Sequence, residues 1–222
     1  MSLALARLLQ LASPTLPVGA YTYSQGMEWA VEIGVVHNET SALDWIGTCL
    51  SFGNARFEAV YFAHMFAAWQ TEDRTRLAEL DGEFIASRES AELRAETLQM
   101  GYSLTRLLAD LDNFPSSYLV SFAEPSFPLA WSCAAASWDI SVETAVLGYL
   151  WAWVENQVIA AVKVVPLGQT AGQRLLFELG ARLPRIGSEV AQTPIALSQN
   201  YLPAFAIASS CHETQYTRLF RS

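Results

Sequence analysis

The side chains able to do chemistry in this sequence are few: three histidines (His37, His64 and His212), three cysteines (Cys49, Cys133 and Cys211) and a single lysine, Lys163. The histidines share no spacing that would bring them onto one metal ion. His212-Glu213 begins like the helical zinc-protease motif, but the second histidine that motif needs is Tyr216 here. Cys211-His212 sets two metal-competent groups side by side, and adjacent residues alone do not close a tetrahedral site. An odd number of cysteines without a C-x-x-C pair reads as small core residues in a reducing compartment, which points to the cytoplasm. Neither a Walker-type phosphate loop nor a G-x-G-x-x-G turn occurs, so nothing cradles a nucleotide phosphate. No motif frames a serine nucleophile. The expectation is a protein that is not an enzyme, with no catalytic residue, no metal ligand and no cofactor.

The remaining polar groups of interest sit in apolar surroundings, in residues 141–176. Val142 to Val165 reads as one helix, entered at Ser141 and left at Pro166, because the residue before a proline is pushed out of the α region. Val146, Leu150, Trp151, Trp153, Val154, Val158, Ile159 and Val162 put apolar side chains on every side, the pattern of a helix inside a bundle or at a subunit contact. Glu155, Asn156 and Gln157 span almost a full turn, so at least one of them must face protein. Lys163 then leaves this helix beside Pro166-Leu167-Gly168-Gln169, the link to a second helix.

Composition sets the frame. Of 222 residues, 52% are hydrophobic and 16% charged, against about 25% charged in ordinary soluble domains. That surplus calls for a large core, a subunit interface or both. No uninterrupted apolar run reaches the roughly 18–20 residues of a bilayer span, and the apolar N-terminus lacks the basic flank of a signal peptide; no membrane is expected. The net charge of −9 excludes nucleic acid as a default partner. It is unevenly spread: the part from Lys163 onward is +3 and the rest −12, which suits a chain that docks partners with different faces.

Helical periodicity runs throughout and no useful strand alternation occurs, so the expected fold is all-α, one domain over residues 1–222, a bundle of roughly ten helices. Leu3–Leu11 is a short helix stopped by Ser13-Pro14. Asn38 or Thr40 caps a helix over 41–52, and Phe57–Trp69 follows, with His64 as a core residue. A short helix reaches Leu80 and closes at Asp81-Gly82. Ser87 begins a long amphipathic helix to about Leu111, whose Arg88, Glu92 and Glu96 lie at i,i+4 on a face expected to meet solvent or a partner. Asn113-Phe114-Pro115-Ser116-Ser117 is the least regular connection. Phe127–Ala136 is an apolar helix, Gln169–Leu183 another that Pro184 ends, and Pro203–Ser210 can pack.

Two stretches look made for recognition. SPTLPVGAYTYSQGMEWA is a proline- and glycine-turned loop dense in tyrosine and small hydroxyls, a composition common on binding surfaces. In HETQYTRLFRS, Tyr216, Leu219 and Phe220 fall at i, i+3 and i+4, the pattern of a helix laid into an apolar groove.

Those two stretches, together with NQVIAAVKVVPLGQTAGQRLL and the intervening SAELRAETLQMG, closely resemble the urease accessory protein UreF family in order and spacing over nearly the whole chain. Ala20 and Thr22 depart from the glycine and serine usual in that family. The resemblance implies an all-α homodimer that joins the accessory protein UreD (also called UreH) and the GTPase UreG on apo-urease, as a chaperone component in nickel insertion, and that modulates GTP hydrolysis by UreG. By match to the family's blocks, the UreG-facing surface would be Tyr23, Ser24, Gln25, Gly26, Glu28, Lys163, Pro166 and Gln169. The UreD-facing surface would be the tail over residues 211–222, through His212, Glu213, Gln215, Tyr216, Arg218, Leu219, Phe220 and Arg221. The homodimer contact is expected from the central helix or the segment before it. Two alternatives stand beside this reading: an activator that inserts Arg218 or Arg221 into UreG's site as a finger, and a bundle that binds a small apolar ligand near its tryptophan-rich helix.

Overall fold

The computed structural model describes residues 3–112 and 114–222, so Asn113, in the connection expected to be least regular, lies outside the described residues. Eleven α-helices are found among the described residues: α1 Leu3–Leu11, α2 Met27–Glu32, α3 Glu39–Thr48, α4 Glu58–Gln70, α5 Arg74–Ala86, α6 Ala91–Ala109, α7 Phe127–Ser137, α8 Val142–Val164, α9 Gln169–Gly180, α10 Leu183–Val190 and α11 Pro203–His212. A π-helix, Cys49–Asn54, continues α3, and no strand is found among the described residues. The all-α expectation stands.

The bundle is assembled on α4, α7 and α8. Helix α4 packs along α7 and against α5 and α8; α8 carries α1, α2, α9 and α10 on its other sides, and α6 runs beside α7. Close approach of α6 to the chain entering α7 rests on Gly101, where a Cβ would fall 2.0 Å from the Pro125 carbonyl oxygen. The centre is aromatic: Phe62 stacks on Tyr149 at 4.9 Å and meets the edge of Trp131 at 5.6 Å. By length and composition α8 could cross a bilayer, but 56% of its most apolar window is buried inside the bundle. Its apolar sides therefore face protein, as a helix apolar all round requires.

Three helix boundaries differ from expectation. Helix α5 does not close at Asp81-Gly82 but runs on to Ala86. Burying Phe84 at that end gains more than the roughly 1 kcal/mol that a glycine costs inside a helix. Helix α6 starts at Ala91, because Ser90 accepts the Leu93 amide as its N-cap and Ser87 instead finishes α5. Pro184 opens α10 rather than ending α9, since a proline in the first turn gives up an amide that has no helical acceptor anyway.

Candidate functional site

The loop before α2 and the segment after α11 close on each other. Gly19 and Gly26 turn the loop with φ of 81° and 78°, and Gln25 between them also has a positive φ of 54°. At Gly26 a Cβ would fall 2.7 Å from the Ser209 amide nitrogen, so only glycine lets α11 pass. These turns aim the Ser24 and Gln25 amides at the main-chain oxygen of Ser222, at 2.6 and 3.0 Å, while the Ser24 hydroxyl donates to the same oxygen at 2.6 Å. One residue earlier, the Arg221 amide donates to the Thr22 carbonyl at 2.8 Å.

Glu28, in the first turn of α2, is the hub. It is buried, and its two carboxylate oxygens accept the Leu219 amide at 2.7 Å and the Phe220 amide at 3.1 Å. His212 stands beside it, with Nε2 at 3.3 Å from Glu28 and Nδ1 at 2.7 Å from Glu92 of α6. Each ring nitrogen thus faces a carboxylate oxygen of a different helix. Arg218 completes the row with a 2.7 Å contact to the other Glu92 oxygen. Glu213 reaches back to accept the Ala91 amide at 2.7 Å, a negative charge placed at the positive end of α6.

Below this row lies Glu96. It accepts from Gln25 Nε2 at 2.7 Å and from the Ser222 hydroxyl at 2.9 Å, and Gln25 in turn takes the indole N–H of Trp153 at 2.7 Å. Burial pushes the Glu96 carboxyl up to about 7, although the bonds from Gln25 and Ser222 pull it down. The same burial, with Glu96 beside it, raises the Tyr23 phenol. Asn156 of α8 donates to the Tyr23 carbonyl at 3.1 Å. Gln157 is 2% exposed, and its Nε2 has no hydrogen-bond partner among the described residues. The polar triplet of α8 thus splits: Asn156 holds the loop, Gln157 is internal, and Glu155 is half-buried with its carboxyl raised by burial. Next to Glu96 is a cavity of about 90 Å³ that Glu58, Arg88 and Tyr149 also line; Tyr149 and Arg88 both donate to Glu58.

Two expectations about these segments change. The chain does not continue as a helix from His212 to Phe220, because α11 ends at His212: the Thr214 and Gln215 amides close turns on the Cys211 and His212 carbonyls, and the Leu219, Phe220 and Arg221 amides go to Glu28 and Thr22 instead of helical carbonyls. Tyr216, Leu219 and Phe220 accordingly share no face: the first two are 102% and 73% exposed, whereas Phe220 is buried. Tyr23, Ser24, Gly26 and Glu28, expected on a partner-facing surface, are buried within this chain, and so is His212. What does reach solvent is Lys163, Pro166 and Gln169 on one side and Glu213, Tyr216, Arg218, Leu219 and Arg221 on the other, with Gln25 and Gln215 half-buried between. Lys163 Nζ stands 5.5 Å from the centre of the Phe220 ring. The two stretches expected as separate surfaces therefore meet in one.

Glu92 and Glu96 were expected on a solvent or partner face, yet they hold the C-terminal segment. The sequence carries a signal for this: like charges at i,i+4 repel and call for cations or donors opposite. Among the described residues, no group of three or more histidine, cysteine, aspartate or glutamate side chains is placed to hold a metal ion. The Cys49 and Cys133 thiols are buried and pushed up to about 12, far from a reactive thiolate.

A family model described as UreF matches residues 36–180. The chain is 59% identical over 225 residues to a urease accessory protein UreF of an Azoarcus species, covering 99% of this chain and 96% of that one. It is 55% identical to the UreF protein of Dechloromonas aromatica over 99% of this chain and 98% of that one. A third relative of the same description, from Methylobacillus flagellatus, is 43% identical over 100% of this chain and 99% of its own length.

Proposed function

This chain belongs to the urease accessory protein UreF family, and from that premise we propose that it serves urease maturation in the cytoplasm as a non-enzymatic scaffold, a homodimer joining UreD to the GTPase UreG on apo-urease. The observation that carries this reading is the interlock of loop and C-terminal segment, which brings the exposed Lys163, Tyr216, Arg218 and Leu219 onto one surface. Lys163, Pro166 and Gln169 face UreG. Tyr216, Leu219 and Arg218 face UreD. The buried Tyr23, Ser24, Gly26, Glu28 and His212 position both sets without touching either partner.

Because Phe220 lies beneath Lys163, a partner that engages the C-terminal segment also sets the cation offered to the other partner. That is a physical route by which UreD binding modulates the action of UreG. The finger alternative finds less support at Arg218, which is already paired with Glu92, so that withdrawing it leaves a half-buried carboxylate short of its cation; Arg221, which is exposed, remains its candidate. The apolar-ligand alternative meets a cavity whose walls include Glu58, Arg88 and Glu96.

Co-expression with UreD and UreG followed by capture tests the assignment. Lys163→Ala is expected to lose UreG and keep UreD, and Tyr216→Ala with Leu219→Ala to do the reverse, both without a change in melting temperature because these side chains are exposed. If both variants retain both partners, the reading fails. Light scattering of the purified protein reads the dimer.

A further inference from the structure

We propose that a second groove, between the π-helix, α10 and the chain around Thr193–Gln199, docks a partner segment that is at once acidic and apolar. The groove encloses about 660 Å³ and shares no residue with the interlocked site. Three guanidinium groups line it, those of Arg56, Arg182 and Arg185, against one carboxylate, Glu189. In a chain of net charge −9 this is a local reversal of sign.

The fold places two of the arginines, Arg182 and Arg56. The guanidinium of Arg182 lies over Gly47 of α3, where a Cβ would come within 2.5 Å of it. Glycine at that position is what leaves it room, and the Arg182 guanidinium makes no hydrogen bond or ion pair among the described residues. Arg56 stands 4.9 Å over the ring of Phe52 and reaches Gln199 only at 3.5 Å. The Arg56 carbonyl accepts the Gln199 amide at 2.9 Å, which ties down the far wall. Arg185 has only a loose 3.4 Å pair with Glu189 on its own helix and is 84% exposed. The near wall is the π-helix, a form uncommon in regular structure and frequent at functional sites.

The apolar part of the lining chooses between ligands. Phe52 and Leu197 stand 49% and 64% exposed at the rim, over a floor that includes Ile186 and Val190. A free phosphate would satisfy the guanidiniums and leave these side chains in water. A purely apolar helix would bury the cations unpaired, which costs several kcal/mol per ion. A segment with carboxylates flanking a large apolar residue satisfies both demands, and bidentate pairing to arginine favours carboxylates.

The experiment uses the full chain and a short fluorescein-labelled peptide in which glutamates alternate with leucines, followed by fluorescence polarisation. Saturable binding is expected, with no binding by the same peptide carrying lysine for glutamate. Arg182→Ala should weaken it about tenfold or more, the size of a close charge pair across an interface. Gly47→Ala should do the same by displacing the guanidinium while keeping its charge. If Gly47→Ala lowers the melting temperature, Arg182→Ala, an exposed change, decides alone. Failure of the peptide to bind, or equal binding by Arg182→Ala, overturns the proposal. So does competition by inorganic phosphate at matching concentration, or equal binding of a glutamate–serine peptide, either of which would mark a site for small anions only.

Discussion

Changing Glu28 to glutamine tests the interlock at its hub with the smallest possible alteration. The native carboxylate offers two oxygens to two main-chain amides, Leu219 at 2.7 Å and Phe220 at 3.1 Å. Glutamine keeps one oxygen and puts an NH₂ in place of the other, so in either orientation one amide of the segment faces a donor. A hydrogen bond to a charged group contributes about 1.5–3 kcal/mol, which is a factor of roughly ten to a hundred in the ratio of docked to undocked segment. Hydrogen exchange of the Leu219 and Phe220 amides should speed up by that factor, while the amides of α4 and α8 stay as protected as before. The melting temperature can fall by no more than the interlock contributes, at most about 12 °C at some 2–4 °C per kcal/mol for a chain of this length. Unchanged exchange at Leu219 and Phe220 would refute the hub role. An equal loss of protection throughout the chain would refute the idea that this segment undocks on its own.

Glu96 sets a pH dependence. The folded chain keeps its proton to about pH 7, whereas the free carboxyl releases it near 4.5; the folded state thus binds more protons in that window, and stability falls as pH rises through it. Glu96→Gln should flatten that slope and stabilise the protein at pH 8 by up to about 3 kcal/mol, read from urea midpoints at several pH values. Gly26→Ala should destabilise by at least about 2 kcal/mol, since an L residue in the left-handed region costs about 1–2 kcal/mol before its Cβ meets α11, and urea denaturation measures it. Phe220→Ala removes about 1.5–3 kcal/mol of burial and leaves Lys163 without its ring, so capture of UreG should weaken together with capture of UreD.

The parts of this molecule that sequence alone could reach are those ruled by local chemistry. The span of α8 follows from Ser141, apolar residues on every side and Pro166, and α1 from its leucines and Ser13-Pro14. What escaped was decided by contacts far apart in the chain. Gly82 looked like a stop because nothing in its neighbourhood says that Phe84 is buried. Glu92 and Glu96 looked solvated because their partners, His212, Arg218, Gln25 and Ser222, lie elsewhere in the sequence. The residues after His212 have a helical pattern, but the Leu219, Phe220 and Arg221 amides find better acceptors in Glu28 and Thr22. The loop's unusual composition and the order of its blocks were legible; its burial was not, because nothing local shows that Ser222 returns to Ser24.

That return gives the recognition surface its character. A surface built on helices alone would be as rigid as the bundle and would offer Lys163 whether or not anything held the C-terminal segment. Here the segment is fixed chiefly by hydrogen bonds to two buried carboxylates, Glu28 and Glu96, and one loop, with a single aromatic side chain, Phe220, as its apolar anchor. Such an element can undock at a free energy well below that of global unfolding. When it does, Lys163 loses the ring beneath it and Glu92 loses Arg218. Any partner that binds only the docked form stabilises all of these contacts at once, and by linkage it also favours whatever binds beside Lys163.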